Sequence, residues 1–381
     1  MDYRKEFFDF EDVAYLNCAA QGPFPRCTVE AIERMMAIKT RPDRMRDDIY
    51  FRLPEEARTE LAALFGGRPG DYAITNGASD GVFAVARGLA WERGDEVLVG
   101  EDDFPSNFFP WAQLAERGVS LRVLSAEGGP VRATQFLNAL GRRTRVAAVS
   151  MVSYNTGYRL DIERLGPACR ENGTILLADL SQAAGAVSLR LGAEPAALPI
   201  DVAVCAGYKW LLSPYGTGFA WFHPEVLGRL AVTDVYWQAV EGAANFNKLP
   251  RTGWKLAPGA RRFDSTETAS FLNLAAMIAS LQFLRQVGVK TIERHAMGLL
   301  DRLIEHLPAG CRVASALEPR ERSTIMAVEA PDAAATARLH RALLAARVIV
   351  SLREDRLRIS PNIYNTGSDI ARCLEALGGK Q

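Results

Sequence analysis

The feature that most constrains this chain is an alternation running from residue 97 to residue 222. Short apolar, β-branched runs at 97–99, 120–124, 145–151, 174–179, 202–205 and 218–222 are separated by longer stretches. Several of those stretches have helical spacing. In 161–172, Leu165, Ala168 and Cys169 recur on one helical face. Strands that alternate with helices are joined by crossovers, so the pattern predicts a largely parallel sheet with helices on both faces. In such sheets ligands bind beyond the carboxyl ends of the strands. The expected fold class is α/β.

After about residue 245 the pattern changes. A stretch punctuated by Gly and Pro at 249–259 leads into a helical pattern over 270–287 and another over 301–307. A strand pattern at 324–328, a helix at 333–346 and short strands at 348–350 and 357–359 follow. This reads as a smaller α+β domain. The chain of 381 residues is too long for one simple core. The expected division is a large domain over 20–245 and a small C-terminal domain over 246–381, joined by the N-terminal segment 1–19.

Composition excludes several classes. The 45 basic and 45 acidic side chains cancel, which removes the electrostatic footprint of a nucleic-acid binder. No run is long enough to span a bilayer, and the charged start Met1 to Glu6 has no apolar stretch of a signal peptide. The expectation is a cytoplasmic protein with no membrane partner. Cys18, Cys27, Cys169, Cys205, Cys311 and Cys373 form no CxxC pair, and the four histidines have no metal-ligand spacing, so no metal site is expected.

Lys209 is the first candidate for chemistry. It follows the 202–205 strand in Ala206-Gly207-Tyr208-Lys209-Trp210, with Leu211 and Leu212 beyond. Bulky apolar neighbours desolvate the amine, and burial disfavours the ammonium, which suits a Schiff base with pyridoxal phosphate. Alone, such a lysine is read first as a snorkelling or ion-paired residue. Asp179 and Gln182 close an earlier strand. An acid there needs a cationic partner, and a protonated pyridine nitrogen is one, although a helix cap has the same look. Ala78 and Ser79, in Asn76-Gly77-Ala78-Ser79-Asp80, open a helix pattern where amides and a hydroxyl can meet an anion. Phe104 follows the 97–99 strand, where it could stack on a planar ring or simply pack. Arg358, in the second domain, can grip a carboxylate through paired hydrogen bonds or lie in a surface ion pair.

Taken in order, these residues resemble the class V group of fold-type I pyridoxal-phosphate enzymes, which includes cysteine desulfurases, kynureninase, isopenicillin N epimerase and several aminotransferases. The resemblance begins at Tyr15-Leu16-Asn17-Cys18-Ala19-Ala20-Gln21-Gly22-Pro23 and ends at Arg358-Ile359-Ser360-Pro361-Asn362 through Thr366. It implies a fold-type I large domain with a smaller C-terminal domain, and a homodimer with shared active sites. It implies that Lys209 carries the cofactor and moves protons at the substrate α-carbon, and that Asp179 pairs with the ring nitrogen. Gln182 would meet the phenolic oxygen and Phe104 would stack on the ring. Ala78, Ser79 and Tyr208 would bind phosphate. Thr266, in Arg262-Phe263-Asp264-Ser265-Thr266, would reach the partner subunit's phosphate. Arg358 would hold the substrate carboxylate. Tyr15, Asn17, Gln21, Tyr154, Asn155 and Trp254 would line the pocket, with Tyr154 standing where the family often has an asparagine that touches the ring oxygen.

Ala206 replaces a phosphate-binding serine, so one hydroxyl is lost there. Two other departures from the family pattern narrow the activity. Phe104 stands where desulfurases have a histidine that assists proton transfer. The stretch Val350-Ser351-Leu352-Arg353-Glu354-Asp355-Arg356-Leu357 is short and lacks the desulfurase cysteine, so the thiolate needed for a persulfide mechanism is missing. The expectation is an amino-acid aminotransferase, with a C–S β-lyase or an epimerase as alternatives. A non-catalytic binding protein on the same fold is the alternative of another class.

Overall fold

The computed structural model describes residues 3–268 and 270–378. Met1, Asp2, Ala269 and residues 379–381, which the expected domain spans include, lie outside the described residues. Tyr72–Thr75 (β1), Glu96–Gly100 (β2), Ser120–Leu124 (β3), Thr144–Ser150 (β4), Ile175–Asp179 (β5), Val202–Ala206 (β6) and Gly218–Phe222 (β7) form one sheet in the order β1-β7-β6-β5-β4-β2-β3. The strands from β2 to β6 pair in parallel, and β7 runs antiparallel to both its neighbours. Every residue of β1, β5, β6 and β7 is buried. Strands covered on both faces carry continuous apolar runs instead of alternation, as the sequence of β5 and β6 does. β3 lies at the edge and is mostly exposed.

The connections place all the chemistry on one side. Gly100, Ser150, Asp179 and Ala206 are the last residues of β2, β4, β5 and β6, so their following turns gather at one edge of the sheet. β1 runs in the same direction and delivers Asn76-Gly77 and the helix Ala78–Gly88 to that edge.

The smaller sheet is antiparallel. Arg312–Val313 (β8), Met326–Glu329 (β9), Ser351–Arg353 (β10) and Arg356–Ile359 (β11) lie in the order β10-β11-β9-β8. The N-terminal segment joins this part of the molecule. Ala14–Tyr15 pairs in parallel with Val348–Ile349, and Asn17 bridges to Ser360.

The hydrophobic core does not divide at residue 246. Helix Phe271–Val287 packs on helices Arg26–Lys39 and Ile49–Phe65 and belongs to the large core. The second core gathers Ala14, Leu16 and residues from Leu299 onward. The physical reason is composition: Leu274, Met277, Leu281 and Leu284 are joined by Ala276, Ile278 and Phe283, so the helix is apolar on most of its circumference and is taken into the larger core. Of the expected helix 301–307, residues 301–305 are the end of a longer helix, Val289–Glu305, and 306–307 lie beyond it. Among the described residues no single helix is long and apolar enough to cross a membrane.

Candidate active site

The turn after β6 carries Lys209. Gly207 is required there because a Cβ would stand 2.3 Å from the Thr217 hydroxyl oxygen. The turn is held by Gly207 N–H donating to the Thr217 carbonyl at 2.8 Å, and Ala206 N–H donates to Ser181 Oγ at 3.0 Å. Gly22, from the N-terminal segment, donates to the Tyr208 carbonyl at 2.9 Å. A side chain on Gly22 would meet the Lys209 carbonyl at 2.1 Å, so only glycine lets these two backbones approach. Lys209 itself is 8% exposed. Burial lowers its pKa from the ordinary lysine value, and Arg358 adds to this, against the opposing pull of Asp179. A larger fraction of such an amine is neutral and nucleophilic near neutral pH.

A cavity of about 220 Å³ opens beside this amine. Its walls include Lys209, Asp179, Gln182, Ala78, Ser79 and Phe104. Tyr208, Tyr154 and Ala206 also face it. The Lys209 Nζ lies 5.4 Å from the centre of the Phe104 ring and 5.6 Å from that of Tyr208. Phe104 is 40% exposed and touches Tyr154 edge-on, with ring centres 5.3 Å apart. Asp179 is buried, and its Oδ1 accepts from Ser181 N–H at 2.7 Å. Its other oxygen accepts no hydrogen bond from any described residue. Helix Ala78–Gly88 begins at Gly77 without a side-chain cap, so its first amides are free to meet an anion. Gly218 has no Cβ because one would stand 2.8 Å from the Gly77 Cα, which brings the start of that helix against β7.

These features fit pyridoxal phosphate. The cavity offers an amine of lowered pKa, a carboxylate with an unused oxygen, an uncapped helix start with a serine, and an exposed aromatic face. Gln182 is more constrained than the sequence suggests. Its Nε2 donates to the Ala19 carbonyl at 3.0 Å, and its Oε1 accepts from Trp210 Nε1 at 2.7 Å.

The second half of the site comes from the small domain. Arg358, on β11, is 2% exposed. Its Nη1 donates to the Tyr154 carbonyl at 2.8 Å and its Nη2 to Ser351 Oγ at 3.3 Å, while its buried Nε has no partner. Burial, reinforced by Arg353, lowers its pKa to about 10. No described carboxylate pairs with this guanidinium. A buried cation with only neutral partners is costly, so an anionic ligand has a ready place there. Asn17 acts through Ser351, whose hydroxyl donates to the Asn17 Oδ1 at 2.8 Å. Glu354, at the tip of the β10–β11 hairpin, accepts from Tyr154 OH at 2.7 Å and from Asn155 Nδ2.

Several expected residues stand away from this cavity. Gln21, which is exposed, and Tyr15 line a different groove with Phe10 and Phe24. Trp254 is 50% exposed. Thr266 is exposed and lines a neighbouring cavity of about 490 Å³, which shares only Asn76 and Asp80 with the Lys209 cavity. Sequence reasoning missed Asp103 and Glu354. The signal for Asp103 was an acid between a strand end and the stacking aromatic. For Glu354 no local signal existed.

Comparison with known proteins agrees with this geometry. The sequence profile of the family Aminotransferase class-V matches residues 14–371. Isopenicillin N epimerase of Streptomyces clavuligerus is 29% identical over 382 residues, covering 96% of this chain and 94% of the relative. A probable cysteine desulfurase of Methanothermobacter thermautotrophicus is 28% identical over 310 residues, covering 79% of this chain and 74% of the relative. Among solved structures, a C-DES mutant with glycine covalently linked to the PLP cofactor superposes with a TM-score of 0.86 at 24% identity, over 98% of both chains. C-DES in complex with cysteine persulfide, described as a cystine C-S lyase, gives 0.85 at 24% identity over 96% of this chain and 97% of that one. The fold is therefore fold-type I, the cofactor is pyridoxal phosphate, and the chain belongs to the class V aminotransferase family.

Proposed function

We propose that this chain is an aminotransferase that acts on an α-amino acid, with Lys209 as the one residue that removes and returns the substrate's α-proton. The observation that carries this reading is the buried Lys209 amine, facing a ring that has no proton to give. Pyridoxal phosphate supplies the electron sink for the charge that develops at that carbon. Lys209 would hold the cofactor covalently, and the free oxygen of Asp179 would hold its ring nitrogen. Ser79 and the amides at Ala78 and Ser79 would hold its phosphate, with Tyr208 beside them. Phe104 would cover its ring. Gln182 would approach the phenolic oxygen with the second hydrogen of its amide.

Arg358 orients the substrate through its carboxylate, since the guanidinium has a buried nitrogen without a partner. Asn17 and Ser351 hold that arginine. Tyr154 and Asn155, tied to Glu354, close the site toward the small domain and limit water entry. One proton-moving residue suits transamination and β-elimination. Epimerisation by two bases needs a second proton carrier where Phe104 stands. A homodimer belongs to this reading: Thr266, exposed on its own chain, would reach the second copy's phosphate.

β-Elimination is the second reading, favoured by the fold shared with the cystine C-S lyase C-DES. Purified protein supplied with amino acids, with and without a keto acid, separates the two. Keto-acid product formed only when an acceptor is present is the expected result. Pyruvate released from cystine or cysteine without an acceptor overturns the aminotransferase reading.

A further inference from the structure

Asp103 does not line the Lys209 cavity. It lies behind it, bordering a smaller space of about 30 Å³ together with Asp102, Ser150 and Ser153. Its carboxylate gathers four hydrogen bonds. Oδ1 accepts from the Ser150 hydroxyl and from the Phe104 amide, the latter at 3.2 Å. Oδ2 accepts from the Ser150 amide at 3.2 Å and from Asn107 Nδ2 at 3.2 Å. Three of these donors are fixed by position: Phe104 follows it, Asn107 closes the next turn, and Ser150 ends β4. Ser150 is the ladder partner of Asp179 on β5.

Among the described residues no cation pairs with this carboxylate. The charged groups that act on it are Asp179 and Asp102, both acidic, and burial with these neighbours raises its pKa to about 7. Against that cost it gathers donors from three residues on the turn and on β4. Here it fastens the turn that carries Phe104 to the strand end beside Asp179.

We infer that Asp103 is a positioning residue that holds the Phe104 ring over the cofactor by pinning its turn to Ser150. The inference rests on the pyridoxal-phosphate site proposed above. Phe104 is 40% exposed, its ring meets Tyr154 only edge-on, and its turn is held by Asn107 N–H donating to its carbonyl at 2.8 Å and by the hydrogen bonds at Asp103, which tie that turn to the strand end. Ring stacking is worth about 0.5–1.5 kcal/mol, so loss of the stack weakens cofactor binding roughly threefold to tenfold.

The test is a double-variant cycle on cofactor affinity. Dissociation constants for pyridoxal phosphate are measured for the wild type, Asp103→Ala, Phe104→Ala and the double variant, with far-UV circular dichroism and thermal melting on each. Asp103→Ala is expected to weaken binding roughly threefold to tenfold while Lys209 still forms a borohydride-trapped adduct at saturating cofactor. The double variant is expected to bind no more weakly than Phe104→Ala alone, because a residue that acts through the ring has nothing left to act on. A folded Asp103→Ala that keeps wild-type affinity overturns the inference. So do losses that multiply in the double variant. Where Asp103→Ala fails to fold, Ser150→Ala, which removes the hydroxyl clasp from the other side, takes its place in the same cycle with the same expectations. A wild-type chain that binds no pyridoxal phosphate overturns both the site and the inference, whereas failure of the cycle alone leaves the site standing.

Discussion

Lys209 and Arg358 are both buried cations at the same site, yet they are held in different ways. Lys209 stands on a turn fixed by backbone bonds, between β6 and the antiparallel β7, with the N-terminal segment packed against its carbonyl. Arg358 stands on a hairpin of another sheet and meets the large domain through a few side chains: Glu354 reaches Tyr154 and Asn155, and the guanidinium reaches one carbonyl. The difference assigns rigidity to the half that does chemistry and adjustability to the half that grips substrate. Side-chain bonds across a domain boundary can be exchanged for substrate bonds, whereas a strand ladder cannot be exchanged without unfolding.

The largest effect should come from the rigid half. Lys209→Ala is expected to lose at least about 10⁴-fold in turnover with an unchanged melting temperature, since it removes both the nucleophile and the proton carrier. A variant that retains a few per cent of activity would break the assignment. On the adjustable half, Arg358→Ala is expected to raise KM for the amino acid roughly 10- to 100-fold and leave cofactor affinity nearly intact. Arg358→Lys should not restore it, because an ammonium cannot make paired bonds to a carboxylate. Equal losses in both affinities would erase the distinction between the halves.

Asp103 offers a pH test of the rigid half. Folded Asp103 keeps its proton to about 7 against an ordinary value of 3.8, with Asp179 and Asp102 as its charged neighbours. The unfolded chain releases that proton first, so this group's contribution to stability falls as pH rises from about 4 to 7 and is flat above. Asp103→Asn lacks the titration. Denaturant unfolding should show the variant gaining on the wild type by about 2 kcal/mol between pH 5 and pH 8. A constant difference across that range would remove the buried-charge argument. The smallest effect belongs to Glu354→Ala, whose carboxylate is exposed: less than about 1 kcal/mol of stability, read by thermal melting, with a modest change in KM.

Much of the large domain was legible in the sequence because buried parallel strands are written as unbroken apolar runs. Val202–Ala206 and Ile175–Asp179 are such runs, and the residues that follow them fall at the site by topology alone. The helices Arg26–Lys39 and Ile49–Phe65 were not legible. In the second, Leu53, Ala57, Leu61 and Phe65 recur every fourth residue and are buried, but Pro54 in its interior disguises the period. Lys209, Asp179 and Phe104 close or follow strand ends, so local sequence placed them at the edge of the sheet where the cavity opens. Glu354 could not be found in this way. Its partners lie 199 and 200 residues away, and it reaches them only because Glu354 and Asp355 adopt left-handed conformations at the hairpin tip, where Asn-Gly is the usual pair. Asn17 is similar: its Oδ1 accepts from the hydroxyl of Ser351, 334 residues later, which in turn accepts from Arg358.

The pairing of Ala14–Tyr15 with Val348–Ile349 sets a timetable for biosynthesis. The hydroxyl of Ser351 that bonds Asn17 belongs to a residue 334 positions later in the chain. A ribosome adding about 5–20 residues per second would leave the first strand without its partner for roughly 20–70 seconds. The strand ladder around Lys209 can assemble during that interval, but Gly22 and its neighbours then have the lysine turn to dock on before the small domain exists. The strand Ala14–Tyr15 is thus a late joiner, waiting for its partner until Val348 and Ile349 have been made.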